Sequence, residues 1–138
     1  MSIYKEDRKK GDLDAITKAT DMVAHTLKIT DNTNVFPKRH RFSITQKIQN
    51  KAIDVLTLTI EANEIFPTNA KELMERQLKQ KQAAGACRSL LAIVNIANAT
   101  FNIPNEKLRY WVSMIVGTRN NIISWQKSDA KRFEKLLS

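Results

Sequence analysis

Apolar residues recur every three or four positions along most of the chain, which is the spacing of one face of an α-helix. The first such stretch follows Gly11 and Asp12 and stops at a polar cluster, Thr30 to Asn34. Short polar side chains compete for backbone hydrogen bonds and so end helices. We therefore predict a first helix from Asp12 to about Thr30, preceded by a basic N-terminal arm, residues 1–11. Its apolar face is Leu13, Ile16, Ala19, Val23 and Leu27.

The second apolar stretch follows Pro37, and Ser43 is its expected N-cap. Its helical face is Ile44, Ile48, Ala52, Val55, Leu56 and Ile60. The second half of this stretch is rich in β-branched residues and would also suit a strand. Because the helical spacing continues from Ile44 without a turn signal before Phe66 and Pro67, we predict a helix.

The third helix has a clear start signal, since Asn69 and Glu72 have the spacing of a capping box. From there the helical pattern continues for roughly 28 residues. Its apolar positions are Leu73, Leu78, Leu90, Leu91, Val94 and Ala97. The small side chains of Ala83 to Ala86 would let another helix, or another subunit, approach closely.

The fourth helix is predicted to begin at Pro104 or Asn105, because proline favours the first helical position. It carries Leu108, Trp111, Val112, Ile115, Ile122 and Trp125. The two tryptophans are expected in the core or at a subunit interface. Ser128 and Asp129 are expected to cap a short C-terminal helical tail, residues 129–138.

Together these elements predict an all-α protein, an antiparallel up-down four-helix bundle over residues 12–128. The 138 residues suit one domain. No apolar run reaches the roughly 18 residues that span a bilayer, and no secretory signal follows the charged N-terminus. With its single cysteine, Cys87, the chain is expected to be cytoplasmic and reduced, with no membrane partner.

Charge adds the main functional indication. Lys and Arg total 23 and Asp and Glu 14, which gives a net charge of +9 and favours polyanionic partners. From Arg76 to Lys127 there are eight basic residues and one acid, Glu106. A second basic cluster, Lys38 to Arg41, lies in the loop before the second helix.

These two regions supply the candidate nucleic-acid contacts. They are Lys38, Arg39, Arg41, Lys79, Lys81, Arg88, Arg109 and Arg119. Lys81 and Arg88 are seven residues apart and share a helix face, where they would contact phosphates without reading sequence. The alternative is an ordinary solvated face. Phe36 and Phe42 flank the loop cluster and would either stack on exposed bases or anchor the loop to the bundle.

Patterns for catalysis or metal binding are absent from the sequence. Neither His25 nor His40 has a second ligand at metal-binding spacing. Cys87, among small residues, is expected to be a buried thiol and not a nucleophile. No glycine-rich phosphate loop, nucleophile elbow or paired-carboxylate motif occurs. We predict a protein that is not an enzyme and needs no cofactor or metal.

Several segments resemble the family of small four-helix-bundle proteins that contains the accessory variability determinant of diversity-generating retroelements. Val35 to Ile44 is similar to the family's F-P-K-x-x-R-F opening of helix two, and Ile60 to Ala62 to its I-E-A ending. Ile122 to Ser128 resembles the family's G-G-W-x-K-S close, with Ile and Ser in place of the two glycines. Supporting similarity lies in Ala52 to Leu56 and Cys87 to Leu91.

The resemblance implies a barrel-shaped homopentamer with a basic surface. It also implies two partners, a reverse transcriptase and its template RNA, in support of mutagenic retrohoming. The same superfamily includes bundle proteins encoded in intervening sequences of bacterial ribosomal RNA genes, which would instead suggest a structural or protein-interaction module. The long basic third helix and the high net charge favour the retroelement branch.

Overall fold

The computed structural model describes the backbone of residues 3–138 and the side chains of residues 11–138. Within this part of the chain there is no strand, so the all-α prediction is confirmed, including for the β-branched second half of the second helix. The four long helices are α1 (Ile3–Asp31), α2 (Gln46–Glu64), α3 (Ala70–Phe101) and α4 (Asn105–Arg132). Short helical turns span Lys38–His40, Arg41–Thr45 and Glu134–Leu137.

The long helices form a four-helix bundle around one main core. Helix α1 packs against α2 and α4, and α3 packs against the same two helices. Trp111, the largest fully buried side chain, lies in this core, and its Nε1 donates to Thr26 Oγ1 at 2.9 Å. Ala83 and Ala86 of the predicted small-residue patch are buried within the chain, whereas Gly85 is exposed.

Helix α1 begins at Ile3, ahead of the predicted start at Asp12. Asp12 therefore lies inside the helix, where it is 2% exposed, and is not a residue of the first turn. The predicted N-terminal arm is helical from Ile3 onward, and residues 1–2 of it lie outside the described residues.

The predicted apolar faces are wrong at four positions that the structure leaves exposed: Leu13, Leu27, Ile60 and Leu78. On α1 the buried face includes Met22 and Thr26 instead. A threonine is tolerated there because its hydroxyl donates to the carbonyl four residues earlier, as Thr26 does to Met22 O at 2.8 Å. The hydroxyl proton is thus paired within α1, and the oxygen accepts from Trp111 Nε1 of α4.

Ser43 does not cap α2, contrary to prediction. It is exposed and lies within a π-helical turn, Arg41–Thr45, and α2 follows directly with Thr45 at the N-cap position. Because the chain is already helical there, the first amides of α2 find carbonyls in the preceding turn. The Gln46 amide, for example, donates to Arg41 O.

The start of α3 and the start of α4 are as predicted. Asn69 Oδ1 accepts from the Glu72 amide at 2.9 Å. The Glu72 carboxylate accepts from the hydroxyl and the amide of Thr68, at 2.6 and 2.8 Å, and these bonds lower its pKa. Helix α4 starts at Asn105, directly after Pro104.

The predicted cap at Ser128 and Asp129 is wrong, because α4 continues to Arg132. Asp129 is 1% exposed and takes part in a buried ion cluster around Arg76, which is itself fully buried. Arg76 Nε donates to Asp129 Oδ2 at 2.6 Å, and Nη2 donates to Asp12 Oδ1 at 2.9 Å. Its Nη1 donates to Ile65 O at 2.9 Å, just past the end of α2. One guanidinium thus ties together α1, α3, α4 and the segment after α2.

Three further side chains complete this cluster. Gln80 Nε2 donates to Asp129 Oδ2 at 2.7 Å, and Trp125 Nε1 donates to Asp12 Oδ1 at 2.8 Å. Arg132 Nη2 lies 3.1 Å from Asp129 Oδ1. We call the set of Arg76, Asp12, Asp129, Gln80, Trp125 and Arg132 the Arg76 network. Its two arginines and two aspartates balance in charge, which is the condition for burying such groups.

Substitution of Arg76 by alanine should destabilise the bundle by about 3–5 kcal/mol, because it removes the cation that two buried carboxylates share. The matched control is Arg88→Ala on the exposed face of α3, which should change the free energy of unfolding by less than about 0.5 kcal/mol. Chemical denaturation followed by circular dichroism measures both. Similar losses in the two variants would show that the network does not hold the helices together.

Candidate nucleic-acid interface

The loop before α2 is anchored to the bundle by aromatic contacts. Phe36 is 2% exposed and packs edge-on against Phe101 and Trp111, with ring centroids 5.1 and 5.8 Å away. The His40 ring stacks on Phe101 at 5.4 Å. Of the two roles considered for Phe36, the structure supports the loop anchor.

This anchoring leaves the basic side chains of the loop at the surface. Lys38, Arg39 and Arg41 are all exposed, and Phe42 beside them is 75% exposed. Arg39 Nε donates to His40 Nε2 at 3.2 Å, which links it to the anchored imidazole. The sequence thus brings three cations and one free aromatic ring to the end of the bundle where α1 ends and α2 begins.

The candidate residues on α3 and α4 differ in their surroundings. Lys81, Arg88 and Arg109 are exposed, and Arg119 is half-buried. Lys79 instead forms an ion pair across to α2, with its Nζ 3.0 Å from a carboxylate oxygen of Glu61. The structure therefore brings Lys79 to the α2 side of α3 and engages its charge there.

An open groove of about 890 Å³ lies between the N-terminal part of α3 and the C-terminal part of α4. Lys71, Lys81 and Lys127 line it together with the apolar side chains of Met74 and Leu78. Two of these lysines were not among the candidates that the sequence suggested. Lys71 lies on α3 itself, and Lys127 becomes a neighbour of Lys81 because α3 and α4 pack side by side.

Arg76 is the one residue of the basic stretch that contributes nothing to a surface field. It is fully buried in the Arg76 network, where aspartates compensate its charge. The count of eight basic residues from Arg76 to Lys127 therefore overstates the number available to a ligand.

A second groove, of about 420 Å³, was missed in the sequence. It lies between the C-terminal part of α1 and the first turns of α4, with Lys28 and Lys107 on its walls and Tyr110, 59% exposed, beside them. Tyr110 precedes the buried Trp111, and apolar spacing alone does not distinguish an exposed aromatic from a core one. The sequence did offer one signal for this groove, because Lys28 lies near the end of α1 and Lys107 lies in the first turn of α4.

Nucleophilic and metal-binding chemistry finds little support among residues 11–138. Burial raises the pKa of the Cys87 thiol to about 12, only partly opposed by the nearby Arg119 cation, so the thiol stays protonated. This confirms the prediction of a buried thiol. Desolvation, and then the Lys28 and Lys107 cations, lower the pKa of His25. In the same part of the chain, no three His, Cys, Asp or Glu side chains are placed to hold a metal ion.

Comparison with known protein families, with curated proteins and with solved structures finds no match to this chain.

Proposed function

We propose that this chain is a non-enzymatic, basic accessory protein that binds RNA or DNA largely independently of sequence. The observation that carries the proposal is the exposure of its cations. Among the eight candidates, Lys79 is the one with a carboxylate ion pair within the described residues. Cations that are not engaged by carboxylates are available to phosphates, and counterion release makes such binding favourable at low salt.

We further propose that the bundle is antiparallel and that it assembles into a homopentamer. Asp12 near the start of α1 and Asp129 near the end of α4 both meet Arg76 near the start of α3, which supports an alternating helix direction. Assembly of several copies would multiply the net charge of +9 around a symmetry axis.

The outer face of α3 supports self-association. Its exposed residues include a stripe, spaced alternately four and three apart, that contains no charge: Leu78, Gln82, Gly85, Ser89, Ala92, Ile96 and Ala99. Helices that pack against a partner helix repeat their apolar residues with this 4-3 spacing, and five of the seven residues here are apolar or glycine. We call this set the α3 stripe.

The hydropathy of α3 also supports self-association. Helix α3 contains an 18-residue window with a mean hydropathy of 1.2, of which only 33% is buried within the chain. By length and composition alone such a helix could cross a membrane, and core helices of soluble proteins meet the same two criteria. A second copy of the chain would cover this surface, and we propose that the assembled protein is cytoplasmic.

The resemblance to the accessory variability determinant family supports a more specific role, in which the protein joins a retroelement reverse transcriptase to its template RNA during mutagenic retrohoming. A second candidate is a structural or protein-interaction module of the ribosomal RNA intervening-sequence type. The α3 stripe favours this alternative as well, since a different protein could occupy it. A reverse transcriptase recovered by affinity capture after nuclease treatment would favour the first role.

Nucleic-acid affinity should fall steeply with salt, and the loop cations should account for part of that slope. The combined variant Lys38→Glu, Arg39→Glu and Arg41→Glu should bind a labelled RNA more weakly. Its slope of log affinity against log salt should be shallower by about two, since each phosphate contact on a single strand contributes roughly 0.7. Fluorescence anisotropy between about 50 and 200 mM salt measures both quantities.

The matched control for this test reverses the same charge at Lys18, Lys131 and Lys135, which are exposed on other parts of the surface. It should retain most of the affinity and slope of the unmodified chain. Equal effects of the two triple variants would mean that the loop has no special role. An affinity independent of salt in the unmodified chain would contradict the proposal itself.

Charges placed on the α3 stripe should break the assembly. Light scattering should show about five times the chain mass of 15.8 kDa for the unmodified protein, and one chain mass for the variant Ser89→Glu with Ala92→Glu. The control, Ser113→Glu with Asn120→Glu on exposed positions of α4, should keep the assembled mass. A single-chain mass for the unmodified protein would exclude the homopentamer.

A further inference from the structure

The groove between α1 and α4 has an exposed aromatic ring that core packing does not require. Tyr110 lies within the first two turns of α4 and is 59% exposed, whereas the next residue, Trp111, is fully buried. Its ring meets the His25 ring edge to face, with centroids 5.1 Å apart and planes at 77°. A ring held by one neighbour while most of its surface faces solvent is a preformed stacking platform.

The surroundings of Tyr110 are basic and polar. Lys28 and Lys107 lie on the groove walls with Asn32 and Glu106. Desolvation lowers the pKa of His25, and the neighbouring Lys28 and Lys107 cations lower it further. His25 Nε2 is buried and has no hydrogen-bond partner within the described part of the chain. The imidazole is thus a neutral side chain in a positive field.

The groove also adjoins the loop cluster. Phe36, which anchors the loop, lies 5.8 Å from the Trp111 ring, and Trp111 follows Tyr110 directly. On α1, Thr30 lies between the groove residues Ile29 and Asn32, and it also lines a neighbouring cleft with Asp31, Lys38 and Arg41. A strand that leaves the groove would therefore meet Lys38 and Arg41 after passing one acid, Asp31.

We propose that the groove of His25, Lys28, Lys107 and Tyr110 binds one unpaired nucleotide of a single-stranded nucleic acid. The base stacks on Tyr110, and Lys28 and Lys107 bind the adjoining phosphate. Base-aromatic stacking is tolerant of sequence because every base has a π face, whereas a paired base in a duplex does not expose that face. This inference rests on the proposed function and adds to it a preference for single strands.

Glu106 and Asn32 would determine the orientation of the bound nucleotide in the groove. A carboxylate repels phosphate and accepts hydrogen bonds from the N–H groups of a base edge, such as N3–H of uracil, so Glu106 directs the phosphate toward the lysines and the base edge toward itself. Asn32 offers both a donor and an acceptor to the same edge.

The test compares Tyr110→Ala with Tyr110→Phe, using a fluorescein-labelled single-stranded oligouridine and an RNA duplex of equal length. Tyr110→Ala should weaken single-strand binding by about 5- to 100-fold, the loss expected for one stacked base, and Tyr110→Phe should retain the affinity. Duplex binding should change by less than about twofold in both variants. Circular dichroism verifies that the variants fold, which an exposed ring should allow.

The phosphate contact is tested separately with Lys28→Gln combined with Lys107→Gln, against the matched control Lys18→Gln combined with Lys131→Gln. The groove pair should lose more single-strand affinity than the control pair. If unmodified protein binds neither RNA, the proposed function fails. If it binds both RNAs and Tyr110→Ala weakens neither or weakens both alike, only the groove assignment is overturned.

Competition distinguishes a nucleotide site from a simple anion site. Uridine monophosphate should displace the oligouridine from the unmodified protein better than inorganic phosphate does, and this advantage should disappear in Tyr110→Ala. Equal competition by the two ligands would show that the groove binds phosphate alone, and would overturn the stacking role of Tyr110.

Discussion

A buried guanidinium between two buried carboxylates is the constraint on which this bundle depends. Arg76 is fully inaccessible, and its hydrogen bonds reach Asp12, Asp129 and a carbonyl beyond the end of α2. Because charges can be buried only when they are compensated, the three side chains must meet, and their meeting sets the relative position of the helices that carry them. The rest of the core is mainly apolar, with a few threonines, and apolar packing alone would accept several arrangements more readily.

The network also determines where the free charge is. It withdraws Arg76 and two aspartates from the surface in a neutral cluster with Arg132, so that the excess of cations remains outside. At the other end of the bundle, aromatic packing of Phe36 and His40 on Phe101 presents the loop cations to solvent. The buried ion cluster and the anchored basic loop thus lie at opposite ends of the bundle, and the α3 stripe, which carries no charge, runs along the outside of α3 between them.

The sequence predicted correctly those features of the fold that depend on residues close together in the chain. The cap at Asn69, the start of α4 after Pro104 and the number of helices follow from nearby residues alone. The Arg76 network could not be predicted, because Arg76 is 64 residues from Asp12 and 53 from Asp129. Asp129 consequently resembled a helix cap, and Asp12 a first-turn acid. Tyr110 was missed for a related reason, since helical spacing shows which positions are apolar but not which of them a neighbour covers.

We propose that nucleic acid contacts the end of the bundle that carries Lys38 to Arg41 and Tyr110, and not the end built around Arg76. Photocrosslinking of a 4-thiouridine RNA to the unmodified protein, followed by mass spectrometry of the crosslinked peptides, locates the contact directly. We expect crosslinks within residues 25–47 and 104–112. Crosslinks confined to peptides around Asp14, Lys71 and Lys131 would contradict the account.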